Sequence, residues 1–341
     1  MSTRPFDESI PLPLLITGVA GVAGYNALEY FGKRYPGQVV GIRQADNWPL
    51  RGPHIVACDA ENRPELIALF DRWRFRSVLN CAGNCALRAC ELDSRLAWRT
   101  NVEGLINLAS ILCERDVRLV HTSIDLVFAG RDGGSYCESD RPDPVTVYGK
   151  TMVAAEQVLA DWVPSACVIR ISLPMGVSFN GHAGAIDWIQ SRFKKSRPAT
   201  LYFDEVRTPT YTDCLNRVFE RLLASDLAGV FHAGGPQRLS LYEIAQIVNR
   251  VGGYDPNLLH GCQRIEAGPI PPRAGDVALD SSRLAAALGE QPFHAWPYDA
   301  ALIPTDREWH FRRSGVQGSP TLLAEILYRN PLRHAAEQRL A

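Results

Sequence analysis

The chain has 341 residues and a formal net charge of −1, with 36 lysines and arginines against 37 aspartates and glutamates. That length supports one large or two modest domains with a full core, and the charge balance excludes both a basic nucleic-acid-binding block and an acidic disordered tail. The longest apolar runs, Pro13 to Ile16 and Val117 to Val120, are strand-length and far short of the roughly 20 residues of a membrane span, so neither nucleic acid nor a membrane is expected as a partner.

The opening stretch Met1 to Ile10 is polar and carries Asp7 and Glu8, so no secretory leader is expected. Leu14 to Ile16 reads as a short buried strand. It runs into Thr17-Gly18-Val19-Ala20-Gly21-Val22-Ala23-Gly24, then an amphipathic helix from about Val22 to Tyr35. Strand, glycine turn and helix in that order form a dinucleotide cradle. The first glycine permits the turn, the second lets a pyrophosphate approach backbone N–H groups, and the third lets helix and strand pack closely. Gly18, Ala20, Gly21 and Val22 are therefore candidate cofactor contacts.

Strands follow at Gln38 to Ile42, His54 to Ala57, Ser77 to Asn80 and Arg118 to Thr122, with helical patterns at Glu61 to Trp73, Leu87 to Trp98 and Asn101 to Glu114. This alternation predicts an α/β fold, a Rossmann-type doubly wound parallel sheet. No acid stands at the end of the second strand until Asp46; Arg43 stands there instead. Its guanidinium suits a 2′-phosphate, with a solvated surface arginine as the alternative, so NADP(H) is favoured over NAD(H). Asp59 follows the third strand and is placed either for an adenine amine or as a helix cap before Glu61. The nine cysteines are scattered, which predicts reduced thiols and a cytoplasmic setting. Cys81, Cys85 and Cys90 lack a zinc-ligand spacing, so no metal is expected. They are either structural or, in the loop after Asn80, thiols near a ligand.

A helix opens at Tyr148-Gly149-Lys150-Thr151-Met152. A proton-transfer tyrosine wants a cation one turn on, at i+4, to favour its phenolate; Met152 holds that place. Lys150, at i+2, points elsewhere. After about Ile171 a smaller α/β lobe is expected, giving domains of 12–172 and 173–341 with some interleaving. It should contain helices at Ala185 to Lys194 and Thr212 to Leu223, strands at Thr200 to Phe203 and Gly229 to Ala233, and a capping box Ser240-x-x-Glu243 opening another helix. The tail from Trp296 to Ala341 predicts one or two docked helices, whose basic residues are either a solvated face or a homodimer contact. His182, His232 and His260 have no ligand spacing and read as surface or internally satisfied histidines.

Taken together, these motifs resemble the extended short-chain dehydrogenase/reductases, in particular the dTDP-4-dehydrorhamnose reductases. The resemblance is carried by T-G-x-x-G-x-x-G at 17–24, Asn80-Cys81-Ala82-Gly83, Asn101-Val102-x-Gly104 and Ser123-Ile124-Asp125-Leu126-Val127-Phe128-Ala129-Gly130. It continues through Tyr148-Gly149-Lys150-Thr151, Arg207-Thr208-Pro209-Thr210 and Arg273-Ala274-Gly275-Asp276-Val277. It spans about residues 12 to 290 and implies hydride transfer to or from a carbonyl or imine of a small, sugar-nucleotide-like substrate.

The family's Ser/Thr-Tyr-Lys set maps onto Ile124, Tyr148 and Met152, so two of the three positions are apolar. Tyr148 remains as proton or hydrogen-bond donor, with Asp125 the nearest polar candidate. Ala82, Gly83, Leu173 and Pro174 are implied cofactor contacts. Cys85, Ser123, Asn180, Arg207 and Arg273 are implied substrate contacts, although Ser123 has the wrong strand parity and Arg273 has a salt bridge to Asp276 as its alternative. The rival readings are a non-catalytic dinucleotide-binding regulatory subunit and, last, a redox-neutral epimerase or dehydratase.

Overall fold

The computed structural model describes residues 9–47, 49–181, 184–313 and 317–331. In chain order the first half supplies β1 (Leu14–Thr17), α1 (Val22–Arg34), β2 (Val39–Arg43), β3 (Ile55–Ala57), α2 (Arg63–Trp73), β4 (Ser77–Asn80), α3 (Leu87–Leu92), α4 (Ser94–Trp98), α5 (Gly104–Leu112), β5 (Arg118–Ile124), α6 (Val147–Trp162) and β6 (Cys167–Ile171). The second half supplies β7 (Pro174–Met175), α7 (Ala185–Lys194), β8 (Ala199–Tyr202), β9 (Val206–Arg207), β10 (Thr210–Tyr211), α8 (Thr212–Leu223), β11 (Gly229–Ala233), β12 (Leu239–Ser240), α9 (Leu241–Val251), β13 (Leu259–Cys262), α10 (Ser282–Leu288) and α11 (Pro320–Leu327).

A seven-stranded sheet of order β11-β6-β5-β4-β1-β2-β3 forms the centre, and every pairing in it is parallel. Its strands are apolar on both faces because helices cover both. Leu15, Val40, Val78, Leu119 and Val168 pack with Leu66 and Phe70 of α2, Leu105 and Leu108 of α5, and Leu159 of α6. Leu14, Ile16, Leu79, Val120 and Ile169 face the other way, in a core with Ala27 and Phe31 of α1 and Leu215, Phe219 and Leu222 of α8. No helix among the described residues is long and apolar enough to cross a membrane.

The structure defines how the two halves interleave. β11, from the second half, pairs with β6 over Gly229 to Ala233, and α8 packs against α1. The remaining lobe holds α7, α9 and the parallel pair β8–β13. Its capping box forms as expected, with Glu243 N–H donating to Ser240 Oγ at 3.1 Å and Ser240 N–H donating to Glu243 Oε2 at 2.7 Å. The expected helix from Leu87 to Trp98 is instead two short helices. Asp93 ends the first and caps the second, its Oδ1 accepting from Arg95 N–H at 3.1 Å and Leu96 N–H at 2.9 Å. Asp59 is not a helix cap: Asn62 caps α2, while Asp59 Oδ1 accepts from Ala45 N–H at 2.8 Å. In the tail, α11 docks through Leu323 and Leu327, both buried, with Trp296 Nε1 donating to Leu327 O at 2.9 Å.

Candidate active site

The turn after β1 is shaped for close backbone approach. Gly18 has φ +66°, and a Cβ there would lie 2.1 Å from Cys81 O. The turn therefore sits directly on the loop after β4. Gly21 begins α1 with no side-chain cap and no acid in the first turn. Such a helix start offers uncapped N–H groups and the positive end of the helix dipole to an anion. A cleft of about 120 Å³ runs from this turn to the end of β2, and Gly18, Ala20, Gly21, Arg43, Ala82 and Gly83 all line it. These residues fit a dinucleotide pyrophosphate. Arg43 sits at the cleft edge, with Nη1 donating to the carbonyls of Gln44 and Ala45 at 2.8 and 3.0 Å. Asp59 stands between two lining residues, Cys58 and Ala60. Val22 is buried as the first residue of α1.

Tyr148 lies in the first turn of α6, and three contacts hold that turn. Thr146 Oγ1 accepts from Gly149 N–H at 2.9 Å, Glu91 Oε1 accepts from Val147 N–H at 2.7 Å, and Thr151 Oγ1 donates to Tyr148 O at 2.7 Å. Gly149 is required by proximity, since a Cβ there would fall 2.2 Å from Leu126 O. The turn is also tied to the cofactor cleft. Asn84 N–H donates to Asn101 Oδ1 at 2.6 Å, and Asn101 Nδ2 donates to Thr151 Oγ1 at 2.9 Å. Asn101 lies in a π-helical turn, Arg99–Glu103, before α5, the kind of helix irregularity that re-aims side chains at functional sites.

The tyrosine hydroxyl has none of this support. Tyr148 is buried in an apolar cluster that also contains Ile124, Leu126 and Met152. Its hydroxyl makes no hydrogen bond among the described residues. Burial raises its pKa far above the ordinary phenol range, the neighbouring Cys85 and Asp125 raise it further, and only Arg207 opposes them. The phenol is thus held protonated.

Two expectations, for Ser123 and for Asp125 with Arg207, are corrected, as is the alternative pairing given for Arg273. Ser123 is engaged elsewhere: its Oγ donates to Glu156 Oε1 at 2.5 Å, and Glu156 is in turn clamped by Arg170 at 2.9 and 2.6 Å. Asp125 and Arg207 do not present themselves to a ligand but bind each other. Arg207 Nη2 and Nε donate to Asp125 Oδ1 and Oδ2 at 2.5 and 2.7 Å, and Ser172 Oγ donates to Oδ2 at 2.5 Å. Both are almost fully buried, so the pair is a structural strut beside Tyr148. Arg273 does not pair with Asp276, which Arg238 takes. It faces Glu205 instead, Nη1 to Oε2 at 3.6 Å, and lies over the Tyr202 ring at 4.7 Å.

Of the remaining candidates, Cys85 is exposed in the loop after β4 and lies within electrostatic reach of Tyr148. Leu173 and Pro174 are half-buried just beyond β6, where Leu173 O accepts from Thr210 N–H at 3.0 Å. Asn180 is exposed on the loop before α7. His182 lies outside the described residues. His232 is buried, its Nδ1 3.0 Å from Tyr136 O, whereas His260 is exposed.

Sequence reasoning missed Glu205. Its signal was available, because Glu205 and Arg207 are spaced i, i+2 in an extended segment and so share a face. Burial raises the Glu205 carboxyl, with Arg207 and Arg273 opposing.

The chain is similar to several known proteins. The chain is 28% identical over 289 residues to a dTDP-4-keto-6-deoxy-D-glucose reductase of Streptomyces niveus, covering 83% of this chain and 93% of that one. It is 23% identical over 284 residues to methionine adenosyltransferase 2 subunit beta of Danio rerio, covering 80% and 83%. The crystal structure of dTDP-4-dehydrorhamnose reductase from Bacillus anthracis in complex with NADP superposes with a TM-score of 0.73 at 20% identity, over 83% of this chain and 95% of that one. The family model described as the RmlD substrate binding domain matches residues 12–303, and with that match spanning both the cradle and the Tyr148 helix, the chain belongs to that family.

Proposed function

We propose that this protein is an NAD(P)-dependent reductase acting on a carbonyl or imine of a sugar-like small molecule, by an altered proton-transfer route. The observation that carries the reading is the hydrogen-bonded path from Asn84, beside the cofactor cleft, through Asn101 and Thr151 to the backbone of Tyr148. A fold that had kept only a binding cradle would not need to hold that tyrosine so firmly. When bound, the nicotinamide supplies the hydride. The uncapped start of α1 holds the pyrophosphate, and Arg43 at the cleft edge supports NADP(H) over NAD(H). Tyr148, kept protonated, donates a hydrogen bond to the reacting carbonyl oxygen or to the nitrogen of a neutral imine. With Ile124 and Met152 at the partner positions it polarises that group but is a poor proton source. An imine that already carries its proton needs no proton from the protein and has no nitrogen lone pair to accept from Tyr148, so it escapes this handicap, whereas a ketone does not. One positioned acid–base partner is worth about 10²–10⁴-fold in rate, so ketone turnover should be slow.

The test follows consumption of reduced cofactor with 4-keto sugars and with cyclic imines. With the keto sugars, Tyr148→Phe should lower kcat by about tenfold or more; an unchanged rate with them in that variant would refute the assignment. A second reading, a non-catalytic dinucleotide-binding regulatory subunit, is favoured by the apolar residues at 124 and 152 and by the similarity to a methionine adenosyltransferase subunit. It predicts tight cofactor binding without turnover and stable co-purification of another chain.

A further inference from the structure

A cavity of about 700 Å³ opens between α4, the π-helical turn that follows it and the first turn of α6. None of its lining residues lines the cofactor cleft. Lys150 lines it from α6, and at i+2 from Tyr148 this lysine projects roughly 200° around the helix from the tyrosine. Val147 and Thr151 also line it, so the cavity lies against the turn that carries Tyr148.

Three cations border the cavity, Arg95, Arg99 and Lys150, and all three are exposed. Their side chains have no ion-pair or hydrogen-bond partner among the described residues. Two carboxylates share the rim. Asp93 Oδ1 is taken by the Arg95 and Leu96 N–H groups, and Glu103 pairs with none of the cations. Three cations against two carboxylates leave the rim with a net charge of +1. Trp98 lines the same cavity, is 46% exposed and makes no ring contact among the described residues. A solvated helix face would account for the cations alone. It would not account for their meeting around a concavity within the roughly 300–1,000 Å³ of small-molecule sites. Nor would it explain an indole left half in water, which forgoes much of the apolar burial such a ring offers.

We propose that this cavity is a second binding site, for a phosphate-bearing compound with a planar ring, a nucleoside phosphate by class. The guanidinium forks of Arg95 and Arg99 suit phosphate oxygens, Lys150 adds a point charge, and Trp98 offers a face on which a base stacks. A second copy of this chain fits less well, because the face would oppose its own net positive charge. The site goes beyond the reductase reading and does not depend on it.

The probe is ATP, titrated calorimetrically into the full-length protein with NADPH present at about ten times its dissociation constant, which fills the cofactor cleft. Wild type should bind one ATP with a Kd of about 100 μM or tighter. Inorganic tripolyphosphate, which has no ring, should bind about fivefold or more weakly, and Trp98→Leu should remove that advantage of ATP. Arg95→Gln combined with Lys150→Gln should weaken ATP about tenfold or more, because two of the three cations are gone. All three positions are exposed, and unchanged NADPH affinity and thermal midpoint in the variants serve as the folding control. Absence of ATP binding by wild type up to about 5 mM would overturn the proposal, as would ATP affinity that the double variant leaves unchanged. Equal affinity for ATP and tripolyphosphate would overturn the planar-ring part. Sedimentation of the same proteins tests the other occupant: a homodimer that Trp98→Leu dissociates would assign this face to a second copy in place of a ligand. Turnover is not read in these titrations, so a protein that reduces nothing would refute the reductase reading and leave this result standing.

Discussion

At Tyr148 the protein fixes the backbone and leaves the hydroxyl unassisted. Glu91, Thr146 and Thr151 hold the turn, yet the ring is buried in an apolar cluster to which Ile124, Leu126 and Met152 also belong. A cation at position 152 would lie one helical turn from the phenol and oppose the effect of burial on its pKa. Met152→Lys should therefore raise ketone reduction by on the order of tenfold or more and move the rate optimum to lower pH. Steady-state rates across pH check both. A rate that stays flat while cofactor affinity is unchanged would mean that Tyr148 delivers no proton in either protein. The apolar triad positions were legible in the sequence because they follow from identity alone. The partners of Asp125, Arg207 and Arg273 were not. Arg273 and Asp276 are close in sequence and suggest a local pair, but folding brings up Glu205 from 68 positions away and gives Asp276 to Arg238. Long side chains choose partners by tertiary proximity, which spacing does not encode.

Among the elements, the π-helical turn Arg99–Glu103 has the largest local effect. It sets Asn101 to accept from the loop after β4 and donate to α6, so one amide joins the cofactor cleft to the tyrosine helix. Thr151 is the other half of this clasp. Thr151→Val keeps the shape but strands the buried Asn101 Nδ2, at a cost of about 1–3 kcal/mol. The expected result is a lower denaturation midpoint together with weaker cofactor binding, both largely restored in Thr151→Ser. A purely local defect would lower the midpoint and leave cofactor affinity intact. The helix of which Asn101 is part was visible as an apolar pattern, but its π turn was not, since one extra residue in a turn leaves little trace in periodicity. The break at Asp93 was more visible in principle, because aspartate is a strong cap. It was hidden by apolar residues that continue on either side.

At the scale of the molecule, the parallel sheet was legible from strand–helix alternation, and Ser77–Asn80 matches to the residue. What alternation cannot show is which sheet a late strand joins; Gly229–Ala233 was expected as a strand but its place beside β6 is a tertiary fact. The same sheet sets a pH limit on stability. His121 lies within β5, 1% exposed, with Nδ1 2.9 Å from Asn80 Nδ2 and Nε2 lacking a partner among the described residues. Burial pushes its pKa down from 6.5 to about 4. Below pH 6.5 the unfolded chain binds a proton that the folded chain refuses. Stability is therefore lost as pH falls from about 6.5 towards 4, and this loss levels off below that. The His121 share should be about 2 kcal/mol between pH 7 and pH 5. Urea titrations at the two pH values should show that difference shrink by this amount in His121→Gln.

The pairing of β11 with β6 also bears on how the chain is made. A ribosome releases residues 12–172 first, and these include six of the seven strands of the central sheet. Until Ala233 has emerged, β6 is an edge with unpaired backbone groups, and the core face that α8 covers has no lid. The nascent nucleotide-binding half thus waits, adhesive along one side, for a strand encoded some 60 residues downstream of β6. Slow elongation through that interval would lengthen exposure to edge-to-edge association, and a chain split at residue 172 should yield an insoluble first half unless the second is supplied with it.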